Sequence, residues 1–98
     1  MADLEVTNWF GDLISHPKVI VQVNSVDDLV AVMKDPGKYP APVRAVGSNH
    51  STAPCGVAES GTLVQMKMNR VLRIDSETLT VEAGAKYFDI ARELEKHN

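Results

Sequence analysis

A single cysteine, Cys55, stands in the 98 residues. One thiol excludes an intramolecular disulfide framework and suits a reducing compartment. Aromatic residues are also few: one tryptophan, two tyrosines and two phenylalanines, scattered along the chain. Charge of one sign is not concentrated anywhere, since 10 Lys+Arg face 13 Asp+Glu for a formal net charge of -3. Without a basic patch interleaved with stacking rings, nucleic acid is set aside as a partner. No apolar run exceeds a few residues, so no membrane span is expected. The opening MADLEV has acids and no apolar centre, unlike a secretory signal. These absences predict a cytoplasmic protein. Hydrophobic residues at 44% fit one small globular domain with a modest core.

What is present alternates between two periods. KVIVQV, residues 18 to 23, places Val19, Val21 and Val23 on one side of a strand. Ser25 then offers an N-cap with Asp28 three residues on, and Val26, Leu29, Val30 and Met33 recur at helical spacing until Pro36 and Gly37 stop the helix. The Pro-bounded GKYPAP leads to VRAV at 43 to 46, expected as a short buried strand, and TLVQM at 62 to 66 is extended again. In VLRIDSETLTVEAG, Leu72 and Ile74 share one side, Leu79, Val81 and Ala83 the other, and DSET supplies a hairpin turn. Tyr87, Ile90, Ala91 and Leu94 form the apolar stripe of a last helix. The order implies an α+β, α/β-layered fold: a small mixed sheet with two helices. Residues 1–17 are expected as an irregular N-terminal segment and 18–98 as the domain. The last helix has neither a C-capping glycine nor a following strand, so the chain reads as the truncated front of a larger protein.

The chemistry concentrates in RAVGSNHSTAP, residues 44 to 54. Ser51 beside His50 is no nucleophile and base pair, because sequence neighbours do not face one another and no orienting acid is identifiable. His16, His50, His97 and Cys55 lack the paired spacings of zinc or iron sites, so no metal is expected; His16 and His97 read as surface groups and Cys55 as semi-buried. Neither the P-loop pattern nor the dinucleotide fingerprint is present. Gly47, Ser48, Asn49, His50 and Ser51 nevertheless follow a strand, where consecutive backbone N–H groups can converge on an anion, with hydroxyls of Ser48, Ser51 and Thr52 to assist. The same residues also build plain turns. Spacing alone leaves both readings open.

The succession TNWFGD, VIVQVNSVDDLVAVMK, PVRAVGSNHST and LVQMKMNRVLRIDSETLTVEAGAKYFDIARELEK resembles the N-terminal part of the PCMH-type FAD-binding domain, the vanillyl-alcohol oxidase and p-cresol methylhydroxylase family. Asn8 and Trp9 with Gly11, together with VRAVGSNHS, are most similar to the aldonolactone and sugar-alcohol oxidases. The resemblance implies FAD as cofactor and oxidation of a CH–OH group of a sugar lactone or polyol, with oxygen as acceptor. It implies that the backbone of Val46, Gly47, Ser48, Asn49, His50, Ser51 and Thr52 wraps the FAD pyrophosphate. It places His50 where family members bond the flavin covalently, and Gly84, with Ala83 and Ala85, close to the cofactor. No catalytic residue is expected in this stretch, which alone would be inactive. Asn49 stands where relatives often have glycine, and asparagine tolerates left-handed backbone better than most residues. Thr52 departs likewise from an aromatic. The alternative is a non-catalytic α/β module that pairs with itself through an open sheet edge, as a homodimer without cofactor.

Overall fold

A computed structural model describes residues 4–96; His97 lies outside them. The segments β3 (Val19–Val23), β4 (Val43–Val46) and β5 (Thr62–Met66) form a three-stranded parallel sheet in the order β3-β5-β4. Both neighbours start level with the central strand, for Thr62 pairs with Val19 on one side and Val43 on the other. Parallel neighbours need a crossover of a dozen or more residues. The connection from β4 to β5 therefore runs from Gly47 back to Gly61, and it carries the loop singled out above. Gly61 is glycine for steric cause: a Cβ there would run into the backbone of Pro42.

One face of this sheet carries the core, Val23, Val32, Val64 and Met68, with Val21, Leu29, Tyr39 and Val43 packed against it. Helix α1 (Val26–Lys34) covers that face. Its start is capped reciprocally: the Ser25 hydroxyl accepts from the Asp28 N–H at 3.1 Å, and the Asp28 carboxylate accepts from the Asn24 N–H at 3.0 Å. The helix seats on the sheet through Leu29 and Val32. Val26, Val30 and Met33 of the periodic stripe stay exposed, so the buried line runs along one edge of that stripe. Strand β4 is also less buried than expected. It is an edge strand, and Arg44 and Ala45 in its middle are exposed.

The two remaining sheets are antiparallel hairpins, which gives the mixed α+β architecture with two helices. Strands β1 (Val6–Thr7) and β2 (Ile14–Ser15) pair in a segment expected to be irregular; two-residue strands are too short to show a period. Strands β6 (Val71–Ile74) and β7 (Leu79–Val81) pair about a turn fixed by Asp75. Its carboxylate accepts from the Thr78 hydroxyl at 2.7 Å and from the N–H groups of Thr78 and Glu77 at 2.8 and 3.1 Å. The Thr78 hydroxyl foremost, then those amides, holds Asp75 below the usual carboxylate range. A register irregularity between Val71 and Arg73 breaks the alternation, so Leu72 is exposed while Val71 and Ile74 are half-buried. Leu72 and Ile74 therefore do not share a buried side. Helix α2 (Tyr87–Glu95) buries none of its residues, and Tyr87 and Leu94 of its stripe are exposed.

Beside β7 the buried carboxylate of Glu82 accepts from Arg70 Nε at 2.8 Å, from the Arg70 backbone N–H at 2.9 Å and from Arg70 Nη2 at 3.3 Å. The Arg70 side chain first and its backbone N–H second hold the Glu82 carboxyl below its ordinary range. A carboxyl depressed on folding contributes stability above its unfolded pKa, about 4.3 for glutamate, and loses it as pH falls through the lower folded value. Glu82→Gln should therefore lower the urea midpoint at pH 7, and the gap from wild type should close in titrations run below about pH 4. A gap that stays constant from pH 7 into that acid range would count against this pair.

Candidate functional site

The chain leaves the C-terminal end of β4 at Val46 and turns at Asn49, whose φ of 56° is left-handed. Asparagine is among the few side chains that take this region readily. Among the described residues, none of the five consecutive backbone N–H groups from Ser48 to Thr52 donates to an acceptor of the chain. The loop holds its shape by other bonds. The Ser51 hydroxyl donates to the Ala53 carbonyl and accepts from the Ala53 N–H, both at 3.1 Å. Cys55 is exposed, not semi-buried, with its thiol 3.3 Å from the Ser51 hydroxyl. The 3-10 turn Pro54–Gly56 carries that thiol outward, and Gly56 has no room for a Cβ, which would lie 2.6 Å from Val46 Cγ1.

The β1–β2 hairpin holds the loop from behind. Asn49 Nδ2 donates to the Thr7 carbonyl at 2.9 Å, Trp9 N–H to the Asn49 carbonyl at 2.8 Å, and Asn8 Nδ2 to the Ser51 carbonyl at 2.8 Å. The indole of Trp9 lies 5.6 Å from the exposed His50 ring, centroid to centroid, tilted by 53°. His16, also exposed, lies away from this loop with Nδ1 3.3 Å from Glu59 Oε1.

Hollows of two sizes open on the loop beside a much smaller one between it and the β1–β2 hairpin. The larger, about 480 Å³, is lined by Gly47 and Ser48 on one side and by Ala83, Gly84 and Ala85 on another, with Met66, Lys67, Asn69, Lys86, Tyr87 and Asp89 completing it. Gly47, Ser48 and Gly84, far apart in sequence, thus line one hollow. The smaller, about 230 Å³, is lined by Ala45 to Ser51 with Cys55 and Gly56, and it holds His50. Thr52 lines neither. Gly84 needs its missing side chain, for a Cβ would stand 2.5 Å from the Met66 carbonyl oxygen and 2.6 Å from that of Met68. The sequence reading missed Lys67, Asn69 and Lys86 on this wall. Lys86 had a local signal, following Ala83-Gly84-Ala85 directly before a helix; Lys67 and Asn69 had none, because only parallel pairing brings the end of β5 beside the end of β4.

This donor set suits one kind of ligand. Unpaired main-chain amides in a turn, small residues that let a ligand approach the backbone, and two ammonium groups against one carboxylate match a diphosphate. Among the described residues no three His, Cys, Asp or Glu side chains gather as a metal site, and no helix is long and apolar enough to cross a membrane.

Residues 17–98 match the sequence model of the FAD binding domain family. The chain belongs to that family. FAD is its cofactor. Over 82 residues the chain is 35% identical to the L-gulono-1,4-lactone dehydrogenase of Mycobacterium tuberculosis, covering 82% of this chain and 19% of that protein. Over 92 residues it is 32% identical to the L-gulonolactone oxidase of Bos taurus, covering 92% and 21%. With the mitochondrial L-galactono-1,4-lactone dehydrogenase of Arabidopsis thaliana the identity is 31% over 83 residues, covering 83% and 14%. The chain thus spans about a fifth or less of the length of these relatives.

Gly84→Ala should push the turn at residues 83 to 85 off the Met66 and Met68 carbonyls, costing about 2 kcal/mol as an overpacking change and weakening FAD binding through the same wall. Urea unfolding and a flavin titration on one sample check both effects. Wild-type values in both would show that the turn has room to spare.

Proposed function

We propose that this chain is the part of an FAD-binding domain that grips the cofactor's diphosphate, and that the protein oxidises a CH–OH group of a sugar lactone or polyol. The observation that carries the reading is the row of five amides, Ser48 to Thr52, without acceptors among the described residues, on a loop whose Gly47 and Ser48 line a hollow together with Gly84. The relatives named for gulonolactone and galactonolactone support the substrate class. The relative named an oxidase supports oxygen as electron acceptor.

In this reading the backbone of Val46 to Thr52 wraps the diphosphate, since main-chain donors fixed in a turn bind an anion without reorganising. Gly84 keeps the facing wall low, and Ala83 and Ala85 flank it without bulk. His50 is the imidazole for covalent attachment: it is exposed, it lines the smaller hollow, and the Trp9 ring restricts it on one side. FAD supplies the two-electron oxidation of the alcohol carbon, while the chain supplies grip and orientation. Apart from attachment through His50, no residue of this stretch takes part in the oxidation, and the stretch alone is inactive.

The test compares wild type with His50→Ala. Wild-type protein should keep its yellow colour in the pellet after acid precipitation. The variant should release its flavin there yet still bind FAD reversibly under native conditions, because the amides remain. A colourless wild-type pellet would end the covalent role of His50; a native protein that takes up no FAD would end the cradle.

A further inference from the structure

The hairpin before residue 17 lies outside the stretch that matches the FAD-binding domain family, yet it makes the longest-range bonds to the loop. Its Asn8 is one of the few buried polar residues, 6% exposed. Both of its amide hydrogens and its oxygen are engaged. Nδ2 donates to Asp12 Oδ1 at 2.7 Å and to the Ser51 carbonyl at 2.8 Å, and Oδ1 accepts from the Leu13 N–H at 3.1 Å. The next residue, Trp9, gives its backbone N–H to the Asn49 carbonyl.

These two carbonyls are on either side of His50, and each belongs to a peptide plane whose N–H is an amide of the loop. The Asn49 carbonyl shares its plane with the His50 N–H, and the Ser51 carbonyl shares its plane with the Thr52 N–H. In a planar trans peptide the C=O and N–H point in opposite directions. A hairpin that holds both carbonyls therefore turns both amides away from itself.

We infer that the N-terminal hairpin is a clasp that aims the cradle: Asn8 is a positioning residue, and with the Trp9 N–H it directs the His50 and Thr52 amides at the bound diphosphate. The inference rests on the reading of this loop as the FAD cradle. It adds a residue that never touches the cofactor and acts through Ser51. Asn8→Asp keeps the acceptor for Leu13 but removes the two donated bonds and sets a carboxylate against Asp12 and the Ser51 carbonyl. Asn8→Ala removes all three bonds.

Both variants and wild type, as the whole protein labelled with nitrogen-15, are measured for amide order by relaxation without flavin, and FAD is then titrated into each in the His50→Ala background, where it binds reversibly. In wild type the His50 and Thr52 N–H vectors should be rigid, with order parameters near 0.85 (roughly the value of fixed backbone), and in Asn8→Asp that of Thr52 should fall below about 0.6. The FAD dissociation constant should rise on the order of tenfold, while the amides of β5 keep their wild-type order. Measuring two variants keeps the test alive if one fails to fold. A folded variant that binds FAD as tightly as wild type overturns the clasp, as does one in which Thr52 stays rigid. Wild-type protein that binds no FAD overturns the cradle instead, and the flavin-free relaxation data distinguish that failure from failure of the clasp.

Discussion

Parallel pairing about β5 is the constraint from which the site follows. Because Val19, Val43 and Thr62 lie level, the three strands run out together at their C-terminal ends. The loop after β4 and the segment after β5 therefore emerge side by side, and Gly47 and Ser48 come to share a wall with Lys67 and Asn69. Ligands of parallel sheets gather at this end for the same reason: it is where crossovers leave the strands and backbone groups are unpaired. The crossover from Gly47 to Gly61 is forced by the topology, and among the described residues its amides from Ser48 to Thr52 have no acceptor.

Two pieces of antiparallel structure complete what the parallel sheet begins. The β6–β7 hairpin, anchored by the Arg70 and Glu82 pair, delivers Gly84 against the Met66 and Met68 carbonyls, with its N–H donating to the Met68 carbonyl at 2.8 Å. That bond brings the far end of the sequence against the end of β5. The β1–β2 hairpin does the converse from the N-terminal side by taking up the carbonyls of the loop.

Much of this was readable from local patterns, and the parts that were not share a cause. The Ser25 cap, the strand at 19 to 23 and the turn at Asp75 are set by residues within a few positions of one another, and each stands where the periodicity puts it. The loop around His50 was legible as a run of small polar residues after a strand, and its Asn49 takes the left-handed backbone that asparagine allows. Periodicity failed where tertiary context chooses among apolar faces. The Val26, Val30 and Met33 line is helical, but which edge of it is buried depends on the tilt of α1 over the sheet. Leu72 alternates on paper, and a register irregularity sets its side. Lys67 and Asn69 gave no signal, and Asn8 stood out only as part of a family motif, because all three join the loop through strand register or through bonds spanning some forty residues.

The central claim is that main-chain amides of the crossover loop take the cofactor's diphosphate. The most direct measurement is a map of backbone amide shifts as FAD, and separately ADP, is titrated into nitrogen-15-labelled protein. The largest changes should fall on Ser48 to Thr52 with both ligands. Gly84 should follow, and the amides of Val71 to Ile74 should stay in place. Shifts centred on that second hairpin, with the loop amides unmoved at saturation, would contradict it.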